Sequence, residues 1–143
     1  MALKVELKPG EKILVGEAVL TNGDQRARFL IEGHAPILRE KDIMTKTRAD
    51  SPAKRIYLAV QLMYISRTPR DHHEVYFGLV RDIMHAAPST AAFIENINNH
   101  ILTGELYKAL KDAKKLISYE GELLDIATNP GLPGGREGDR KSA

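Results

Sequence analysis

The sequence predicts an α+β fold: a small antiparallel β-sheet or partly open barrel over residues 1–49, followed by a helical bundle of about four helices over residues 50–127. The first third of the chain holds short alternating segments separated by tight turns, which is typical of antiparallel strands. From Asp50 onward, apolar residues recur at helical spacing. A length of 143 residues suits one domain, so we expect the bundle and the β unit to pack together. Residues 128–143, rich in glycine, proline and charge, are predicted to be a disordered tail.

Five β-prone segments make up the predicted sheet. The first, residues 3–7, alternates strictly, so that its three apolar side chains share one face and its two charged side chains the other. The other four segments are residues 12–15, 18–21, 26–31 and 36–39. The Asn22-Gly23 pair indicates a hairpin between the third and fourth segments, because both residues tolerate positive φ.

The helical region opens with a clear start signal. Ser51 is a capping residue, and the proline that follows it suits the first helical turn. A second helix is predicted over roughly residues 71–86, a third begins at Pro88-Ser89, and a fourth begins near Thr103, which can cap it. The apolar residues that the second helix is predicted to present are Val75, Leu79, Ile83 and Met84. Short connections predict antiparallel neighbours.

Composition excludes several function classes. The chain has no cysteine, which rules out disulfides, thiolate catalysis and cysteine-ligated metal sites. No signal-peptide pattern or long apolar stretch is present, so we expect a cytoplasmic protein that does not span a membrane. His72-His73-Glu74 lacks the spacing of a helical metal site. No serine lies in a nucleophile motif, and we expect neither an enzyme nor a protein with a metal or cofactor.

The arginines of the fourth β segment suggest a nucleic-acid surface. Alternation places Arg26 and Arg28 on one face and Phe29 on the other. With later basic residues they could form a rim that holds phosphates, while Tyr57 or Tyr64 stacks on unpaired bases. The predicted RNA-binding residues are Arg26, Arg28, Arg39, Lys41, Lys54 and Arg55.

The alternative interpretation is that these arginines pair with nearby acidic residues and solubilise an ordinary sheet. The predicted acidic partners are Asp24, Glu32, Glu40 and Asp42. The net charge is only +2, so any basic stripe must come from folding rather than from bulk charge. The residues by themselves favour this alternative.

The fourth predicted helix carries a second basic face, opposite its apolar line. Its members are Lys108, Lys111, Lys114 and Lys115. Such a face is usually solvated. It is nonetheless the densest positive stretch of the chain, and a leader RNA or an acidic partner could use it.

Four segments, residues 24–43, 52–64, 98–104 and 106–117, resemble the FlbT family of flagellum-biosynthesis regulators of alphaproteobacteria. The resemblance covers roughly residues 1–124. It implies a post-transcriptional repressor that associates with the untranslated leader of flagellin mRNA and controls its translation and decay. Some relatives instead favour flagellin production, often opposing or working with the partner protein FlaF, so the sign of regulation stays open.

The resemblance supplies no catalytic motif, and two function classes remain. In the first, the chain binds the flagellin leader directly through its basic residues. In the second, it is a protein-interaction module that acts through FlaF or flagellin without touching RNA. The balanced charge favours the second class, whereas the arginine-bearing strand and the role of the family favour the first. The oligomeric state is open in both, a homo-oligomer included. Salt dependence separates the two classes, because phosphate binding weakens steeply with ionic strength.

Overall fold

The computed structural model describes residues 2–128, in which five strands precede four α-helices. This confirms the predicted α+β class. The strands are β1 (Ala2–Leu7), β2 (Lys12–Val15), β3 (Ala18–Thr21), β4 (Ala27–Glu32) and β5 (Ile37–Arg39). The helices are α1 (Pro52–Ile65), α2 (His73–Ala86), α3 (Ala91–Leu102) and α4 (Leu106–Thr128). Thr128, predicted to open the tail, is the last residue of α4, and residues 129–143 lie outside the described residues.

The strands form two open antiparallel sheets. One is the pair β1–β4, in which Ala2 lies opposite Glu32 and Leu7 opposite Ala27. The other has the order β3-β2-β5. Between residues 2 and 128 the sheets do not close into a barrel. A small separate core joins the two sheets, and its buried members are Val5, Leu7 and Ile13, with Ile31 and Ile37 packed against them.

The hairpin predicted at Asn22-Gly23 is wrong. β3 pairs with β2, and β4 pairs with β1 in the other sheet, so this dipeptide is a crossover between sheets. The Asn22 side-chain amide explains why the residue suits this place: it donates hydrogen bonds to the carbonyl oxygens of Leu7, Lys8 and Gln25, at 2.9–3.1 Å. The tight hairpin is instead the β2–β3 turn, where Gly16 has a φ of +60°.

The main core lies within the helices. α1 is central: it contacts both α2 and α4, and α4 also packs on α3. Leu14 of β2 and Leu38 of β5 belong to this same cluster of buried residues, so the three-stranded sheet packs directly on the bundle. The β1–β4 pair contributes none of the buried residues of this cluster.

The start of α1 confirms the capping prediction and adds a partner from far along the chain. The Ser51 hydroxyl oxygen accepts a hydrogen bond from the backbone N–H of Lys54 at 3.3 Å. The Glu120 carboxylate of α4 accepts from the Ser51 hydroxyl at 2.5 Å and from the Ala53 N–H at 2.9 Å. A negative charge at a helix N-terminus is favourable, so α4 both packs on α1 and caps it.

Two details of the helix prediction are corrected. Of the four residues that α2 was predicted to present to the core, Ile83 is buried and Leu79 is partly buried against it, as predicted. Val75 is 63% exposed and Met84 is exposed as well, because the buried residues of α2 are Tyr76, Val80 and Ile83. Thr103 does not start α4, which begins at Leu106; its hydroxyl donates back to the Asn99 carbonyl oxygen of α3 at 3.1 Å. Between residues 2 and 128, none of the helices has the length and apolar content needed to cross a membrane.

Candidate nucleic-acid interface

Three polar side chains of α1 hold the segment made of β5 and the residues that follow it, residues 37–44. The Tyr64 hydroxyl donates to the carbonyl oxygen of Ile37 at 3.1 Å, and the Tyr57 hydroxyl donates to that of Asp42 at 2.6 Å. The Gln61 amide bonds both backbone groups of Met44, at 2.7 and 3.0 Å, and is only 4% exposed. Because these bonds immobilise the backbone of the segment, they also position Arg39 and Lys41, which it carries.

A surface cleft of about 640 Å³ opens between this segment, the end of the β1–β4 sheet and α4. Leu3 and Ile31 form part of its apolar lining. Its charged and aromatic lining residues are Arg39, Lys41, Asp42, Tyr64, Tyr107 and Lys114. We call this the Tyr107 cleft. It brings together basic residues that the sequence assigned to two separate patches.

The aromatic side chains of the Tyr107 cleft lie close together. The ring centroids of Tyr64 and Tyr107 are 5.7 Å apart, and the Lys111 ammonium lies 5.1 Å from the centroid of the Tyr107 ring, a cation–π arrangement. Tyr107 is exposed, so its ring is available to a planar ligand. The sequence prediction missed it. The available signal was the spacing of Tyr107, Lys111 and Lys114, four and three residues apart on one helix face.

Burial keeps the tyrosines of this region protonated. Burial, together with the nearby Asp42 carboxylate, raises the pKa of Tyr57, and burial raises the pKa of Tyr64. Both phenols therefore remain hydrogen-bond donors to the backbone at neutral pH. Tyr57 is itself buried and cannot stack on a base, whereas Tyr64 is half-buried at the cleft.

The cations of the cleft differ in how far they are neutralised. Lys114 forms an ion pair with Asp42, 72 residues away in the sequence. Arg39 and Lys41 form no ion pair with any residue between 2 and 128. With Lys111, which lies over the Tyr107 ring, the cleft therefore has four cations and a single carboxylate, that of Asp42. Its local charge is positive although the charge of the whole chain is nearly balanced.

Of the two strand arginines, Arg28 lines a second cleft and Arg26 does not. Arg26 pairs with Glu6 across the strands at 2.8 Å, and Arg28 lies directly opposite Glu6 in the register. The hydrogen bond from Arg26, aided by the charge of Arg28, lowers the pKa of the Glu6 carboxyl. Lys4, Arg28 and Arg39 line a cleft of about 650 Å³, so Arg39 belongs to both clefts.

The remaining predicted basic residues do not join these clefts. Lys54 pairs with Asp50 at 3.2 Å, and Arg55 is exposed on α1 without lining either cleft. Lys108 pairs with Glu105 at 2.6 Å. Lys115 is exposed and does not line the Tyr107 cleft. Within the described part of the chain, no three His, Asp or Glu side chains are grouped as metal ligands.

Comparison of the sequence with known proteins shows which family this chain resembles. The model of the family described as flagellar protein FlbT matches residues 3–124. The chain belongs to the FlbT family. A relative from Bradyrhizobium diazoefficiens, named a probable flagellum biosynthesis repressor protein FlbT 1, is 64% identical over 124 residues, covering 86% of this chain and 85% of its own. No solved structure matches the chain.

Two further members of the FlbT family extend the similarity. One from Rhodopseudomonas palustris, named a probable flagellum biosynthesis repressor protein FlbT, is 51% identical over 124 residues, covering 87% of this chain and 98% of its own. The flagellum biosynthesis repressor protein FlbT of Caulobacter vibrioides is 35% identical over 141 residues, covering 96% of this chain and all of its own. Apart from Ala2, all the lining residues of both clefts lie within the residues that the family model matches.

Proposed function

We propose that this protein represses flagellum biosynthesis after transcription, by associating with the untranslated leader of flagellin mRNA and controlling its translation and decay. The repressor role follows the names of its relatives. The leader RNA follows the family resemblance and the chemistry of the Tyr107 cleft. The protein acts in the cytoplasm by occupancy and catalyses no reaction itself.

One observation carries the proposal: unpaired cations lie beside an exposed aromatic ring. Arg39 can bind a phosphate through two parallel N–H donors, and Lys41 adds a second positive charge. An unpaired base stacks on Tyr107, a contact worth about 1–3 kcal/mol. In that arrangement Lys111 leaves the ring face and binds a neighbouring phosphate. RNA loops and ends offer such splayed bases, whereas the stacked bases of a duplex do not.

Regulation then follows from mass action. Bound protein shifts the message between a translated and a degradable form only by its different affinity for the two. A protein seated on the leader blocks ribosome entry, and the untranslated message is left open to a cellular nuclease. A tenfold difference in affinity corresponds to about 1.4 kcal/mol, within reach of one Arg–phosphate contact.

The test is a titration of the purified full chain against the flagellin leader of its own organism and a scrambled RNA of equal length, at low and physiological salt. We expect leader-selective binding whose affinity falls steeply with salt, by a logarithmic slope of about −0.7 per neutralised phosphate. Arg39→Ala and Tyr107→Ala should each weaken it about tenfold. The control Arg81→Ala removes an exposed arginine of α2 away from both clefts and should leave it unchanged.

The second candidate, a protein-interaction module acting through FlaF or flagellin, is favoured by a different observation. The chain exposes large apolar side chains on β3, β4 and α2, including Val19, Leu30 and Val75. In that case a folded sample of the protein shows no preference for the leader RNA in the same titration. FlaF or flagellin instead binds the protein with an affinity that depends little on salt. That pair of results would overturn the direct-binding proposal.

A further inference from the structure

Strand β4 has one partner and one open edge. It pairs with β1, and its residues 27–32 make no other backbone hydrogen bond to the part of the chain that the structure describes. Two large apolar side chains lie on this strand half-exposed, Phe29 at 44% and Leu30 at 57%. An exposed, apolar edge strand is a template for pairing with another strand.

The sequence of β4 is complementary to itself when it is read antiparallel. The register with β1 shows that Arg28, Leu30 and Glu32 share the outer face of the sheet, while Phe29 and Ile31 share the inner face. Two β4 strands that run antiparallel with Leu30 opposite Leu30 place the Arg28 of each copy opposite the Glu32 of the other. Neither Arg28 nor Glu32 has an ion pair among residues 2–128.

We propose that β4 pairs antiparallel with the β4 of a second copy of this chain, with the two Leu30 residues facing each other at the twofold axis. The result is a four-stranded sheet of order β1-β4-β4-β1. On its outer face, Arg28 lies between Glu6 of its own chain and Glu32 of the second copy. On its inner face, Phe29 lies opposite Ile31 of the second copy, beside Val5 of its own chain.

Other registers fit less well. A twofold axis normal to the sheet pairs residues of the same face, so the axis lies midway between the two copies of one β4 residue. An axis at Arg28 places two guanidinium groups opposite each other, which is destabilising. An axis at Phe29 places Arg28 opposite Leu30. Its only charge pair joins Glu32 to Arg26 of the second copy, and Arg26 is already paired with Glu6 of its own chain. The Leu30 axis alone pairs both unpaired charges.

The surroundings of the open edge favour the same occupant. A groove of about 360 Å³ runs beside β4, with Leu7 and Ile13 of the small core and Leu20 of β3 among its lining residues. The groove therefore borders the small core of the β unit on the side where the second copy docks. The inner-face pairs of Phe29 with Ile31 extend this apolar surface and remove it from water.

Crosslinking tests the register directly, because the chain contains no cysteine. Directly opposite residues of antiparallel strands have Cα atoms about 4.5–5.5 Å apart, within the range of a disulfide. We expect Leu30→Cys to form a covalent dimer under mild oxidation. The matched control Val19→Cys, equally exposed at 57% on the edge strand β3, should not. Crosslinking of Phe29→Cys in preference to Leu30→Cys would overturn the register, and equal crosslinking of Val19→Cys would overturn specific pairing.

A charge exchange tests the pairing without cysteine. The full chain should have the mass of a dimer in light scattering coupled to size exclusion. Glu32→Arg places a second positive charge opposite Arg28 of the second copy and should weaken dimerisation at least tenfold. Adding Arg28→Glu restores the opposite pair and should recover the dimer, provided that every variant also carries Glu6→Gln, because Glu6 lies opposite position 28 in the same chain. Circular dichroism checks that every variant is folded. A wild-type monomer, or a double variant no better than Glu32→Arg, would overturn the proposal.

Discussion

The helical bundle and the β unit of this protein bury their apolar residues to very different degrees. In the bundle, α1, α3 and α4 supply long side chains that are fully enclosed, such as Met63, Ile97 and Leu116. The separate core of the β unit has only three buried members, and four large apolar side chains of β3 and β4 remain at least 44% exposed. The bundle is therefore the stable scaffold, and the β unit offers surface.

The largest expected effect separates the two regions by stability. Leu116→Ala empties a site that is 0% exposed at the contact of α4 with the core, and should lower the free energy of unfolding by about 3 kcal/mol. Leu102→Ala, the same change at a residue of α3 that is 80% exposed, should change it by less than about 0.5 kcal/mol. Urea denaturation measures both. Equal losses would mean that the bundle core is not the source of stability.

The next effect concerns the junction of the two regions. Gln61→Leu leaves the backbone N–H and C=O of Met44 without their partner and should cost about 2 kcal/mol of unfolding free energy. Hydrogen exchange of residues 40–44 should accelerate, because the segment loses its anchor on α1. Gln25→Leu is the control, since that side chain is exposed. An unchanged exchange rate in Gln61→Leu would show that the hydrogen bonds of Tyr57 and Tyr64 are sufficient to hold this segment on α1.

A smaller effect depends on pH. Burial raises the pKa of Tyr76 in the bundle, so its folded pKa lies above the unfolded value of 10.0. The stability contributed by the neutral phenol is fully present below about pH 10 and is lost progressively above it, by roughly 1.4 kcal/mol per pH unit. Tyr76→Phe should make the alkaline loss of stability less steep, as measured by urea titrations across this range. If Tyr76→Phe lost stability as steeply with rising pH as the unchanged protein does, the alkaline loss would come from other tyrosines.

The smallest expected effect lies on the β surface. Arg26 is held by Glu6 at an exposed site, so Arg26→Ala should change leader-RNA affinity by no more than about twofold. Arg39→Ala, at the junction of the two clefts, should change it several times more. The same binding titration compares them. A larger effect for Arg26 would move the RNA-binding site from the Tyr107 cleft to the outer face of β4.

Much of the local structure was predictable because it depends on near neighbours in the sequence. The strict alternation of residues 3–7 predicted β1, and Ser51 followed by proline predicted the start of α1. The predictions failed where a choice of partner mattered. Asn22-Gly23 has the local chemistry of a hairpin, yet its side chain bridges two sheets, and Val75 has helical spacing that fits a face one position from the packed one.

The sequence by itself determined the α+β class, the order of the elements and the family, since periodicity, capping and turn residues act over a few positions. Only the tertiary structure decided that Arg39 and Lys41 meet Tyr107 and Lys114, and that Arg26 and Lys54 are neutralised instead. The contact between Asp42 and Lys114 joins residues 72 positions apart. Such contacts depend on how α4 packs across α1, and that packing follows from the shape of the whole core rather than from any local pattern.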